Sequence, residues 1–297
     1  MEPIYYRSFN SHLKEKYGEK VYKLSLNCSN TCPNRDGRCG FGGCIFCAEG
    51  SGGFAADYQL AVEEQIERAK KLISAKSDCK KFIAYFQSFT STYGDLAYIE
   101  NCLISAAKHP EIVALSVATR PDCLSDEVMG ILKRVQRVKP VAVELGLQTI
   151  HEATAEFINR GYPLSVFDSA LEKLKTNGFE VVVHIILGLP HETEEMMLET
   201  VKYIAKSSAD GIKLQLLHVL EGTPLAEVYR RGEFKTLELD EYINLLTKCV
   251  ALLPPDMVVH RLTGDGDKKL LIAPMWSADK KRVLGEISLH LRPKAEE

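Results

Sequence analysis

The chain has 297 residues, 45% of them apolar and 26% charged, which is enough to bury the core of one large or two small domains and excludes intrinsic disorder as the main state. Thirty-seven Lys and Arg stand against 40 Asp and Glu for a net charge of −3, so no global positive field gathers nucleic acid and any RNA contact has to be local. The longest apolar run, Val181–Leu189, is broken by His184 and falls far short of the ~20 residues of a membrane span; with no apolar signal core in Met1–Asn10, the chain reads as cytosolic.

In chain order, the first strand-like run is Val21–Leu26. A cysteine-rich loop follows. Ala61–Ile73 then sets Val62, Ile66, Ala69 and Ile73 on one helical face with charges opposite. From there strands at Phe82–Phe86, Ile112–Ala118, Val141–Leu147, Val181–Leu187 and Ile212–Leu217 alternate with helical spacing at Leu96–Ala107, Asp126–Val138, Val166–Lys175 and Glu194–Ser207. Ser125, Ser165 and Thr193 are expected helix starts, and Asn177-Gly178 a stop. Beyond Leu217 the pattern changes to a turn at Glu221-Gly222-Thr223-Pro224, a helix at Leu237–Leu253, a short strand at Met257–His260 and a closing helix at Asp279–His290. The Lys/Glu-rich tail Arg292–Glu297 is expected to fray.

Strand then helix, about six times over, specifies an α/β fold with parallel strands covered by helices. A barrel, complete or partial, is favoured over a doubly wound sheet because no Gly-rich dinucleotide fingerprint opens the first crossover. Residues 1–220 are the expected core, with 221–297 a C-terminal extension packed on it. Cys32, Gln87-Ser88, Thr119-Arg120, Gln148, Gly188 and His218 each follow a strand. The carboxyl ends of strands form the active face in such folds, so one large site is expected at that rim.

Five of the nine cysteines, Cys28, Cys32, Cys39, Cys44 and Cys47, crowd into twenty residues, whereas Cys79, Cys102, Cys123 and Cys249 lie in apolar or helical patterns and read as core or near-surface residues. Cys44-x-x-Cys47 can bring two thiolates to one centre, and the Gly-rich loop before it is flexible enough to return a third. Local spacing leaves two candidates: zinc, which takes four closed ligands, or an iron–sulfur cluster, in which three cysteines leave one iron open. Phe46 between the last two cysteines suits a cluster shielded from water.

Cys32-Pro-Asn-Arg-Asp-Gly followed by Gly-Gly-Cys44-x-Phe-Cys47, in the loop after the first strand of such a chain, resembles the radical S-adenosylmethionine (SAM) superfamily, and within it the YhcC/YtqA group related to the catalytic subunit of Elongator. The likeness runs from about Tyr5 to about Trp276. The superfamily's commonest spacing is Cys-x3-Cys-x2-Cys; here eleven residues separate Cys32 from Cys44, a long loop the narrower group shares, while Cys28 and Cys39 are additional. The resemblance implies a partial (β/α)6 TIM-like barrel and a [4Fe–4S] cluster on Cys32, Cys44 and Cys47. SAM would chelate the fourth iron and be cleaved reductively to a 5′-deoxyadenosyl radical.

It also implies SAM contacts at Gln87 and Ser88 (amino group), Arg120 (ribose or carboxylate), Glu144 and Gln148 on one strand face, Arg160 (carboxylate) and Gly188 (adenine). A buried Glu144 needs a partner, which an amino group or ribose hydroxyl of the ligand would supply. By the same resemblance the substrate is tRNA, 5-carboxymethylaminomethyluridine at the wobble position becoming aminomethyluridine, with an electron donor such as flavodoxin or ferredoxin. His184 in its apolar run reads as a hydrogen-bonded core histidine rather than a base, His218 is open, and Trp276 reads as packing or base stacking. Lys70-Lys71, Lys80-Lys81, Lys268-Lys269 and Lys280-Lys281-Arg282 read as solvated charge or as phosphate contacts. The competing readings are a radical SAM enzyme acting on a small metabolite or protein, and a zinc-stabilised protein without chemistry.

Overall fold

Residues 4–48, 56–74, 77–264 and 266–293 are described by the computed structural model. In chain order they form β1 (Ile4–Ser8), α1 (Phe9–Tyr17), β2 (Tyr22–Leu26), α2 (Val62–Ser74), β3 (Phe82–Phe86), α3 (Leu96–Lys108), β4 (Ile112–Thr119), α4 (Asp126–Gln136), β5 (Val141–Gln148), α5 (Glu152–Phe157) and α6 (Leu164–Thr176). There follow β6 (Glu180–Leu187), α7 (Glu194–Ala205), β7 (Gly211–Leu216), β8 (Val219–Leu220), α8 (Pro224–Arg230), α9 (Leu239–Ala251), β9 (Val258–Arg261), β10 (Leu271–Ala273), α10 (Lys280–His290) and β11 (Leu291–Pro293).

Strands β2 to β7 lie side by side in sequence order, every pair parallel, as repeated strand–helix–strand units require. Beyond β7 the same nine-stranded sheet continues through β9, β1 and β11. Its two edges, β2 and β11, are not paired to one another among the described residues, so the sheet curls into a partial barrel rather than closing. No helix among the described residues is long and apolar enough to cross a membrane.

The strands alternate. On β7, Ile212, Leu214 and Leu216 are buried in the main hydrophobic core, while Lys213 and Gln215 line the cavity inside the curl. On β5, Val143, Leu145 and Leu147 belong to the core and Glu144, Gly146 and Gln148 to the cavity. The apolar face meets helices through side chains such as Phe167 and Leu174 of α6 and Val201 and Ile204 of α7, all fully buried. Truncating one of the size of Phe167 to Ala costs roughly 3–5 kcal/mol. Tyr242 and Leu246 of α9 and Leu291 of β11 share that core, so the C-terminal elements pack into it as well.

Helix starts follow the local chemistry. Ser125 accepts from Val128 N at 3.3 Å and Thr193 from Met196 N at 3.4 Å. Ser165 does not cap: α6 begins at Leu164 with Pro163 before it at φ −77°, a dihedral already close to helical. Asn177 and Gly178 (φ 74°) end α6 as expected. The tail differs: Arg292 and Pro293 are in β11, paired with Tyr5 and Tyr6 of β1, because the backbone of β1 offers an edge; residues 294–297 lie outside the described residues. Strand β1, helices α1, α5 and α8 and the antiparallel β8–β10 pair were not anticipated.

Candidate active site

A cavity of about 820 Å³ opens at the carboxyl ends of the strands, within the size range of small-molecule sites. Room for it comes from small inward residues one layer below the rim, among them Ser25, Ala118 and Gly146. A side chain at Gly146 would collide with Gln148 Nε2 at 2.8 Å. Just past Gly146 the β5–β6 register slips, and Gln148 takes φ 71°.

Cys32, Cys44 and Cys47 all line this cavity, with Phe46 beside them. Their loop is held by its own polar residues. Arg35 donates to the carbonyls of Cys47 (2.7 Å) and Ala48 (2.9 Å). Asn34 Nδ2 donates to Asn159 O at 2.5 Å and approaches Cys44 Sγ at 3.8 Å. Asn159 Nδ2 returns a bond to Gly43 O at 2.8 Å, and Ile45 N donates to Ile158 O at 3.1 Å. Thus the cysteine loop is stitched to the segment after α5, and Ile45 and Phe46 pack on an apolar cluster containing Ile158, Ile186 and Leu217. Burial pushes the Cys44 thiol up to about 12 and raises that of Cys47, although Arg35 pulls Cys47 back. A metal centre bound to these sulfurs would supply the charge that stabilises them as thiolates.

The other cysteines are elsewhere. Cys28 is 1% exposed in the main core, its Sγ donating to Ser91 O; Cys39 is exposed and does not line the cavity. Cys102 and Cys249 are buried, Cys79 and Cys123 intermediate, as the sequence suggested. Three soft sulfur donors on one wall, with no fourth cysteine lining the cavity among the described residues, fit an iron–sulfur cluster with one open iron better than a closed zinc site. Buried side-chain oxygens with no partner among the described residues, Gln148 Oε1 and Thr90 Oγ1, belong to residues lining the cavity and suit a polar ligand.

Of the residues singled out in the sequence, Gln87, Ser88, Arg120, Glu144, Gln148 and Arg160 line the cavity with the cysteines. Gly188 does not: at φ 87° it turns the chain, and what approaches its Cα is Leu237, 3.2 Å from where a Cβ would sit. Arg160, 1% exposed, spends its fork within the protein, donating to the carbonyls of Leu147 (3.2 Å), Thr149 (2.6 Å) and Tyr162 (3.0 Å) and to Glu152 (3.2 Å). Arg120 binds Asp122 through two nitrogens at 2.9 and 2.7 Å and Arg160 O at 2.9 Å.

Glu144 differs most from its sequence reading. Its partners come from the chain rather than from a ligand: Lys23 and His184 at 2.6 Å, Ser116 at 2.5 Å, and Lys213. Burial alone would raise this carboxyl, but Lys213, Lys23 and His184 together hold it well below the ordinary range. Burial, reinforced by Lys213, takes His184 down to about 4 despite Glu144, so the imidazole is neutral and hydrogen-bonded. Burial also brings Lys213 down to about 7, with Glu144 opposing and Lys23 and Arg261 assisting. Lys23 and Lys213 were not singled out in the sequence. The signal was there in Ile212-Lys213-Leu214-Gln215-Leu216, where the inward positions of an apolar strand are polar. His218 lines the cavity and accepts from Gly266 N at 3.1 Å. Trp276 has a packing role, donating to Leu237 O at 3.0 Å beside Tyr242.

Comparison with known proteins gives a consistent picture. Residues 26–204 match the radical SAM superfamily and residues 209–292 the radical SAM C-terminal domain. The chain is 42% identical over 287 residues to the uncharacterized protein YtqA of Bacillus subtilis, covering 96% of this chain and 89% of that protein. It is 27% identical over 293 residues to the tRNA uridine(34) acetyltransferase of Methanocaldococcus jannaschii, covering 84% of this chain and 52% of that one. Among solved structures, Elp3 of Methanocaldococcus infernus lacking its N-terminal 46 residues superposes with a TM-score of 0.69 at 19% identity, covering 92% of this chain and 64% of that one, which speaks to the fold.

Proposed function

The chain belongs to the radical SAM superfamily, and from that premise we propose that it is a tRNA-modifying enzyme that removes the carboxymethyl portion of 5-carboxymethylaminomethyluridine at the wobble position to leave aminomethyluridine. Members of the superfamily use a [4Fe–4S] cluster and SAM, and their chemistry is the reductive cleavage of SAM to a radical that takes hydrogen from the substrate. The observation that carries the reading is the trio Cys32, Cys44 and Cys47 on the wall of one strand-end cavity. Its nucleic-acid part is supported by the named activity of the relative that acts on uridine 34 of tRNA.

Each residue then has a task set by its contacts. Cys32, Cys44 and Cys47 would hold the cluster, and Arg35 and Asn34 keep their loop in shape through backbone bonds. Phe46 and Ile45 cover the loop with apolar surface and keep water from the site. Gln87, Ser88, Gln148 and Arg120 face the cavity and would contact SAM. Arg160 and Glu144 shape its walls through the bonds they already make, and Gly188 turns the chain behind it. The reading places the protein in the cytosol with tRNA, supplied with electrons by a flavodoxin or ferredoxin. Mass analysis of tRNA nucleosides from a deletion strain tests it: 5-carboxymethylaminomethyluridine should accumulate at the expense of aminomethyluridine derivatives. An unchanged profile would point to a small metabolite or protein substrate instead.

A further inference from the structure

Four residues below the rim along β5, roughly 13 Å at ~3.3 Å per residue, the cavity has a charged floor. Lys213 Nζ bonds Glu144 and Tyr85 Oη, the latter at 3.1 Å. Lys23 Nζ bonds the other Glu144 oxygen and lies 4.6 Å from the centre of the Tyr85 ring. Arg261 sits beside Lys213 in the parallel register of β7 and β9. Burial pushes Tyr85 upward and keeps it neutral, and His184 and His260 are both held below their usual values by burial. Among the described residues Lys23 and Lys213 thus share the single carboxylate of Glu144, and burial holds Lys213 down at about 7.

A full positive charge on Lys213 beside that of Lys23 is costly in so buried a place unless a second anion joins Glu144. Lys213 is 3% exposed. Its three N–H groups meet two protein acceptors among the described residues, leaving one for a ligand. We propose that this floor recognises a carboxylate carried by the substrate, with Lys213 as the residue that reads it. The inference deepens the proposed function and rests on a C5-modified uridine being the substrate, because only a substituent projecting from the base carries such a group down into the barrel. The other carboxylate source, the methionine end of SAM, belongs with the thiols at the rim in this superfamily.

The experiment is equilibrium binding of three anticodon stem-loop RNAs to the anaerobically prepared holoenzyme with SAM and no reductant. One RNA carries 5-carboxymethylaminomethyluridine, one its methyl ester, and one unmodified uridine; SAM affinity is measured separately. The acid should bind on the order of tenfold tighter than the ester. Lys213→Met should abolish that preference, Lys213→Arg should keep part of it, and both should leave SAM affinity unchanged. Equal affinity for acid and ester, with both bound, would overturn the floor's role while leaving the RNA substrate standing. A loss of SAM affinity in Lys213→Met would reassign the floor to SAM, again overturning the proposal. Failure of every stem-loop to bind would overturn the RNA reading and the inference with it. The acid–ester comparison in the unsubstituted protein stands even if Lys213→Met does not fold.

Discussion

At the rim, Cys32, Cys44 and Cys47 line the cavity on a loop whose backbone is tied down by Arg35, Asn34 and Asn159. At the floor, Glu144 is ringed by Lys213, Lys23, His184 and Ser116. The rim is tied in its frame by these backbone bonds and turns three sulfurs to the cavity. At the floor the carboxylate of Glu144 is already satisfied from within the chain, while Lys213 meets only two acceptors among the described residues. The loop after β2 built the one and the alternation of strand residues the other, and the difference between them separates the proposed cofactor wall from the proposed charge-reading floor.

The sharpest way to break this contrast is at the rim. Cys44→Ala should lower iron from about four per chain to near none and bleach the brown colour of anaerobic protein, because two thiolates no longer hold the cluster; iron analysis and the visible spectrum are the readouts. At the floor, Glu144→Gln should leave iron in place but destabilise the fold by roughly 3–5 kcal/mol, since Lys213 and Lys23 lose the charge that offsets their burial. Chemical denaturation measures it.

A pH series sharpens the floor further. Folded His184 stays neutral down to about 4, whereas its unfolded counterpart takes a proton near 6.5. The unfolded chain therefore binds more protons across that window, and the stability of the native protein falls as pH drops from 6.5 toward 4. His184→Gln should remove about 3 kcal/mol of that fall, seen as a shallower loss of melting temperature with acid. The smallest effects belong to the cysteines outside the cavity. Cys39→Ser should change stability by no more than ~0.5 kcal/mol and Cys28→Ala by about 1 kcal/mol, both with full iron content.

Much of this was legible in sequence. The six core strands and the helices between them announced themselves by period, and the three cysteines that share the cavity by spacing within a recognisable motif. The missed elements are those whose stability is tertiary. Strand β1, Ile4–Ser8, is five residues long and is fixed by pairing with β9 and β11 from the far end of the chain. Helix α5 spans six residues with no side-chain cap. Arg160 was legible as a buried-site arginine, but not that three carbonyls would consume its fork. Nor could Glu144 be seen to meet Lys23, 121 residues earlier, and Lys213, 69 later. Such partners are set by which strands become neighbours, and the local pattern holds only the hint that their inward positions are polar.

The most direct measurement is made on protein purified without oxygen and given SAM and dithionite, with methionine and 5′-deoxyadenosine quantified by chromatography. The expected result is formation of both in equal amounts, dependent on Cys32, Cys44 and Cys47 and indifferent to Cys28 and Cys39. Iron-free protein that leaves SAM intact under those conditions would contradict it.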